Sequence, residues 1–145
     1  MQFSIKQDNE DYINLKRLAE ATLNNYKLPL RKIKKYSKNN DFTLLFALKK
    51  NKKIGFIAGF GKNCKMHIWL FGVSKNERGK GIGKALLKRF HSIARRKGYL
   101  YVDTLTFNKY SYKLLLSIKL GYIIYKTKYL KDKKDLGIFL EKRLT

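Results

Sequence analysis

The segment that most narrows the folding possibilities is Val73-Ser74-Lys75-Asn76-Glu77-Arg78-Gly79-Lys80-Gly81-Ile82-Gly83-Lys84-Ala85-Leu86-Leu87, which follows an apolar run and opens an amphipathic one. Glycines at alternate positions let a backbone approach a ligand closely, and the free N–H groups of a helix's first turn bind anions. Arg78, Lys80 and Lys84 add positive charge at the same place. A strand, a glycine-rich turn and a helix, followed by the apolar run of residues 99–107, make a right-handed strand–helix–strand crossover. Its two strands are therefore expected to be parallel neighbours in one sheet.

The hydrophobic pattern marks out the other elements. Phe3 and Ile5 alternate with polar neighbours in a short strand over residues 2–7. Asp8 or Asn9 can cap a helix running to about Tyr26, with Tyr12, Ile13, Leu15, Leu18, Ala19 and Leu23 on one face. Pro29, the one proline, opens a second helix to about residue 38. Residues 42–48 and 54–60 read as strands joined across the charged gap 49–53, and 66–74 as a third strand. The central helix runs from about residue 81 to 97, where Lys97-Gly98 stops it. A strand at 99–107, a helix at 109–120 closed by Gly121, and strands at 122–130 and 136–140 complete the chain. The order β-α-α-β-β-β-α-β-α-β-β predicts an α/β fold of the mixed α+β kind. One domain over residues 1–145 carries a mixed, mostly antiparallel central sheet with helices on both faces.

Composition bounds the class. A hydrophobic content of 44% is too high for a disordered basic tail. No stretch of about 18 uncharged apolar residues could cross a membrane as a helix, and the opening residues lack the apolar run of a signal peptide. Cys64 is the one cysteine, which excludes an internal disulfide and makes the cytoplasm the expected compartment. The formal charge is +24, from 34 Lys+Arg against 10 Asp+Glu. AT-rich codons account for part of the lysine count, yet such bias does not by itself leave so few acids. The imbalance favours contact with RNA or another polyanion.

Spacing decides which anion the loop suits. Counting back from Gly83-Lys84 puts Arg78 where a Walker A loop needs its first glycine, and Ala85 follows the lysine instead of Ser or Thr. The dinucleotide fingerprint Gly-x-Gly-x-x-Gly fails at Lys84 and again at Leu86. Arg78-Gly79-Lys80-Gly81-Ile82-Gly83 instead resembles the Arg/Gln-x-x-Gly-x-Gly/Ala loop of the GNAT N-acetyltransferase superfamily. The apolar strand ending in Val73, then Leu86-Leu87, Lys97-Gly98-Tyr99, Asp103-Thr104-Leu105 and Leu120-Gly121-Tyr122, extend the resemblance over essentially the whole chain. It implies the GNAT fold and acetyl-CoA as co-substrate. The pyrophosphate would lie on Arg78, Gly79, Lys80, Gly81, Ile82, Gly83 and Lys84. The pantetheine arm would run along the strand edge at Val73 and past Asn108. Asn108 serves equally well as the N-cap of the helix expected from Lys109. No Cys/His spacing resembles a metal site.

In this family an amine attacks the acetyl thioester directly. A lysine amine, with a pKa of about 10.4, must first lose a proton to a base or a water relay. The resemblance assigns the oxyanion's N–H donor to the backbone of Val73 or a neighbour. Gly72, a glycine inside an apolar strand, fits either a bulge that re-aims this backbone or the accommodation of a bulky neighbour. The family's usual tyrosine, the proposed acid for the leaving thiolate, falls on Ser117 counted back from Gly121 and on Leu115 counted forward from Asn108. Tyr112 is the candidate replacement, with Tyr110 behind it. Glu77 adjoins the loop but reads more as a lysine's partner or a solvent-facing group, and Asp103 as either a base or a structural partner. His91 reads as a surface residue, and His67 as distant from the thioester.

The expected function is acetyl-CoA-dependent N-acetylation of a primary amine by a monomer or homodimer away from any membrane. A polyamine or aminoglycoside is repelled by a +24 protein. An amine carried on RNA or at a protein N-terminus, as in an aminoacyl-tRNA or a ribosome-associated protein, fits the field better. Ser117 motivates the alternative, a non-catalytic acyl-CoA- or RNA-binding module on the same fold.

Overall fold

Residues Phe42 to Ala47 and Ile54 to Phe60 are buried without exception. Strands covered on both faces read as continuous apolar runs, not as alternating ones. They lie inside the seven-stranded sheet of the computed structural model, which describes residues 2–23 and 26–145. In chain order the elements are β1 (Ser4–Gln7), α1 (Tyr12–Thr22), α2 (Leu30–Ser37), β2 (Thr43–Lys49), β3 (Lys52–Lys62) and β4 (Lys65–Val73). After a 3-10 turn at Lys75–Glu77 come α3 (Ile82–Arg96), β5 (Tyr101–Phe107), α4 (Ser111–Lys119), β6 (Ile123–Leu130) and β7 (Asp135–Arg143). The sheet order is β1-β2-β3-β4-β5-β7-β6. The crossover strands β4 and β5 pair in parallel, and the other neighbours are antiparallel.

The element order and the mixed sheet match the sequence reading, while several boundaries move. Helix α1 ends at Thr22 with Leu23 as its C-cap, short of the expected Tyr26; positions 24 and 25 lie outside the described residues. Helix α4 starts at Ser111 with Tyr110 at its N-cap, so Asn108 does not cap it. The β2–β3 connection is tighter than its charge implied. Lys49 pairs with Lys52, and Lys50 and Asn51 alone make the turn at φ 51° and 66°. A two-residue turn with both φ values positive matches the strand twist.

Helices α1 and α2 cover one face of the sheet. There Leu15, Leu18 and Ile33 pack against Leu44, Phe46 and Phe56. Helix α3 covers the other, with Leu86, Phe90 and Ile93 against Leu45, Ile57 and Met66. Ile13, expected on the buried stripe of α1, is turned outward at 83% exposure. The start of α1 is held by Asp11, whose Oδ1 accepts the Asn14 backbone N–H at 3.2 Å and whose Oδ2 takes the Lys53 ammonium. Asp11→Ala is expected to cost about 1–2 kcal/mol in a urea titration, the worth of an N-cap.

One irregularity in β4 shapes everything downstream. Ala58 pairs with Leu70 and Gly59 with Ile68, so Trp69 is an extra residue on β4. Such a bulge bends its strand. The bulge therefore falls before Gly72, which pairs in register with Phe56. A Cβ on Gly72 would meet Thr22 Oγ1 at 2.8 Å and the Phe56 ring at 3.0 Å. Gly72 is there to let the end of α1 approach the sheet.

Candidate active site

Pairing between β4 and β5 runs from Lys65 opposite Tyr101 to Ile68 opposite Thr104 and then stops. Beyond it the bulge carries β4 away, while β5 stays bonded to β7 as far as Phe107 opposite Gly137. The strands splay around a cleft of about 680 Å³, the size of a small-molecule site. The Ser74 N–H donates to the Ile54 carbonyl on β3 at 2.8 Å. Successive residues of a strand address opposite edges, so Val73 directs its N–H and C=O into the cleft. On the facing strand Thr106 is 1% exposed, and its Oγ1 has no hydrogen-bond partner among the described residues. A buried hydroxyl left unpaired costs about 1–3 kcal/mol. A polar chain lying along that wall would satisfy it.

The cleft opens beside the loop before α3. Gly79 and Gly81 have φ of +78° and +85°, and a Cβ on either would meet nothing within 4 Å. Gly81 is the left-handed N-cap of α3 and no side chain caps the helix. Its first-turn N–H groups thus face open space, the arrangement that binds a diphosphate. Gly83 serves packing instead, since its Cβ would lie 3.2 Å from Phe71 Cζ and 3.3 Å from Leu116 Cδ2. Ile82 is buried and seats α3 on the sheet next to Gly55, while Lys84 is exposed on the first turn. Arg78 lines the cleft and its Nε donates to the Val73 carbonyl at 3.0 Å. Lys80 reaches Glu77 at 3.0 Å and Lys49 reaches the same oxygen at 3.3 Å. Lys80 first, then Lys49, hold the Glu77 carboxyl below the ordinary glutamate range. Glu77 is a lysine partner. Asn108 follows β5, its N–H bonded to the Leu136 carbonyl at 3.2 Å, and its neighbours Phe107 and Lys109 line the cleft.

Helix α4 closes the cleft from above. Tyr112 is half exposed and lines it, with its hydroxyl 3.8 Å from the place a Gly83 Cβ would take. Ser117 is buried, and its hydroxyl donates to the Lys113 carbonyl at 2.8 Å. Leu115 is exposed, so neither position counted for the tyrosine lines the cleft. Lys113, which the motif reading passed over, does line it, with Nζ 6.0 Å from the Phe71 ring centroid. Burial pushes its ammonium down to about 8. At the closed end of the cleft, His67 Nδ1 and Asp103 Oδ1 lie 2.9 Å apart across the parallel pair. His67 lines the cleft too, at the end away from Val73, which agrees with its reading as distant from the thioester. That position 67 falls opposite 103 is a matter of register, which a parallel pairing alone does not set.

His91 is 4% exposed, not a surface residue, and its Nε2 lies 2.6 Å from the Tyr122 hydroxyl. The helical stripe of α3 is wider than its aliphatic members indicated. Burial, with Lys142 and Arg95 nearby, pushes the imidazole down to about 4. A depressed histidine contributes stability that is complete above its unfolded value near 6.5 and is lost as the pH falls toward the folded one. Between pH 7 and 4 this group alone should remove roughly 3 kcal/mol, read from urea midpoints. The His91→Leu/Tyr122→Phe pair should flatten that part of the profile. An unchanged slope would refute the assignment. Among the described residues no helix is long and apolar enough to cross a membrane, and no three metal-ligating side chains converge.

A splayed parallel strand pair leading to an uncapped, glycine-lined helix start is an arrangement suited to a long, anionic ligand. Comparison with known proteins names the class. The sequence matches the acetyltransferase (GNAT) family over residues 10–122. The fold resembles Ard1 from Thermoplasma volcanium, with a TM-score of 0.86 at 20% identity over 100% of this chain and 99% of that one. It also resembles the ribosomal-protein-S18-alanine N-acetyltransferase from Escherichia coli, at 0.86 and 11% over 99% and 95%. A third likeness is a GNAT family acetyltransferase from Elizabethkingia anophelis with acetyl-CoA bound, at 0.79 and 20% over 98% of both. At such identities the likeness is one of fold. A comparison with curated proteins finds no match. The chain belongs to the GNAT acetyltransferase family.

Proposed function

We propose that the protein is an acetyl-CoA-dependent N-acetyltransferase whose acceptor is a primary amine on an anionic body, at a protein N-terminus or on RNA. The observation that carries this reading is the β4–β5 wedge running into the uncapped start of α3. A pantetheine-like arm suits the wedge as a substitute strand, with the Val73 N–H offered to the thioester oxygen. A diphosphate suits the start of α3. Family membership supports acetyl transfer, and the acetyl-CoA in the Elizabethkingia structure supports the donor.

The His67–Asp103 contact supplies a base. A carboxylate bonded to Nδ1 fixes the imidazole, and because position 67 lies roughly 15–20 Å along β4 from Val73, Nε2 takes the amine's proton through a relay of waters in the cleft. An α-amine, with a pKa of about 7.7–8.0, asks less of that base than a lysine does. The charges lining the cleft are Arg78, Lys109, Lys113 and Lys133 against Asp132. That balance favours an acceptor with a negative body over a polycation. The Escherichia coli relative is described as acting on an alanine of a ribosomal protein, a protein-borne acceptor.

The test is calorimetric titration with CoA, then CoA-thiol release against aminoacyl-tRNAs, acidic and basic peptides with free N-termini, and spermidine. CoA is expected to bind, the anionic-body acceptors to release thiol, and spermidine to be silent. Rising salt should weaken use of an RNA-borne acceptor. Failure of CoA to bind at millimolar concentration would sink the reading. CoA binding with no thiol release from any acceptor would favour the non-catalytic module that Ser117 motivates, since its hydroxyl is spent inside α4.

A further inference from the structure

Lys113 lines the cleft, and the reaction outlined above gives it no part. It sits in the first turn of α4, half buried, over the Phe71 ring at 6.0 Å. That ring lies on the β4 side of the wedge, and Thr106, with its unpaired hydroxyl, lies on the β5 side. No carboxylate or carbonyl accepts a bond from the Lys113 ammonium among the described residues, unlike Lys49, Lys53, Lys65, Lys80 and Lys97, which are all ion-paired. Arg78, Lys109 and Lys133 share the cleft lining with it, and Asp132 is the lining carboxylate. A cation over the face of an aromatic ring gains about 0.5–1 kcal/mol at exposed sites, and 6.0 Å is the limit of that contact. The site neither pairs nor solvates this ammonium well.

We infer that Lys113 is a self-acetylation site, modified by the acetyl-CoA held in the same cleft. The step balances without another reactant. The neutral Nζ attacks the thioester carbonyl, an N–C amide bond forms and the C–S bond breaks. CoA leaves as thiolate and takes up the proton that the amine gives off. The inference rests on the reading of the cleft as an acetyl-CoA site. Its geometric basis is the shared cleft, where Lys113 lies without an acceptor beside the Phe71 ring and Thr106 lines the β5 side; the neutral fraction supports it. An amine titrating at about 8 is roughly one-tenth neutral at pH 7, about two hundredfold more than an ordinary lysine. Acetylation removes a positive charge from a cleft that must hold an anion, so the modified protein binds CoA more weakly. Donor supply without acceptor would then restrain the enzyme.

The experiment needs no acceptor. The purified full chain is incubated with acetyl-CoA at pH 7, 8 and 9 and analysed by intact and peptide mass spectrometry, with CoA affinity measured on the same preparation. One acetyl group per chain is expected on Lys113, at a rate independent of protein concentration, rising through pH 8 and suppressed by excess CoA. Lys113→Arg should lose that group and gain none elsewhere. If CoA binds but Lys113 stays unmodified, or is acetylated no faster than the surface lysines, the inference fails and the acetyl-CoA reading stands. If CoA does not bind, both fall together.

Discussion

Gly81→Val is expected to lower CoA affinity by roughly two to four orders of magnitude while leaving a folded protein. Gly81 sits at φ +85° at the head of α3, where a Cβ would meet nothing within 4 Å. The side chain therefore clashes with no protein atom, and the structural cost is the left-handed backbone, about 1–2 kcal/mol. For a chain of this size that lowers the melting temperature by about 3–8 °C. The space it fills is the space in front of the first-turn N–H groups. Losing two hydrogen bonds to a charged group, each worth about 1.5–3 kcal/mol, accounts for the affinity range. Gly83→Val is the instructive contrast. Its side chain enters the contact between Phe71 and Leu116, so any lost binding would come mainly through displaced packing. Calorimetry and thermal unfolding on both variants separate the two cases. If Gly81→Val binds CoA as well as the unaltered protein does, α3 is not where the diphosphate sits.

The element order was legible because each strand and helix carries its own periodicity, and the loop because three glycines at a strand-to-helix junction have few structural uses. Of the wedge, the parallel pair was legible in the strand–helix–strand crossover. What the one-dimensional pattern does not hold is register. Trp69 looks like any aromatic in an apolar strand, and its bulge appears only when β3 is laid against β4. Gly72 shows the difficulty, since a glycine in a strand marks either a bulge or a close approach, and here the end of α1 decides for the latter.

Polar residues were misread, as His91 was, or their contacts missed, as at His67, where the partners lie far away in sequence. His91 meets Tyr122 across 31 positions and His67 meets Asp103 across 36. Neither separation shows in a helical wheel or a strand alternation. Lys113 was hidden among many exposed lysines, and its burial depends on where α4 lies over β4. The +24 charge is informative about partners, but it says nothing about which cation loses its water.

The second large effect expected is at His67. Replacing it with glutamine should leave acetyl-CoA affinity unchanged and lower kcat by about two to three orders of magnitude, the lower part of the range for a positioned general base. Glutamine can keep a hydrogen bond to Asp103 but cannot accept a proton at neutral pH, so the change isolates the proton transfer. Asp103→Asn should cost less, roughly ten- to hundredfold, because it loosens the imidazole's orientation without removing it. The pH profile distinguishes catalysis from structure. As the pH rises past the acceptor's own pKa, about 7.7–8.0 for an α-amine, more of the amine arrives already neutral. The gap between His67→Gln and the unaltered enzyme should therefore narrow toward pH 9. A variant that is merely misfolded would show a constant gap and a lowered melting temperature. If His67→Gln turns over within twofold of the unaltered enzyme at pH 7, the His67–Asp103 pair is a strand-to-strand clasp, and the amine loses its proton to water.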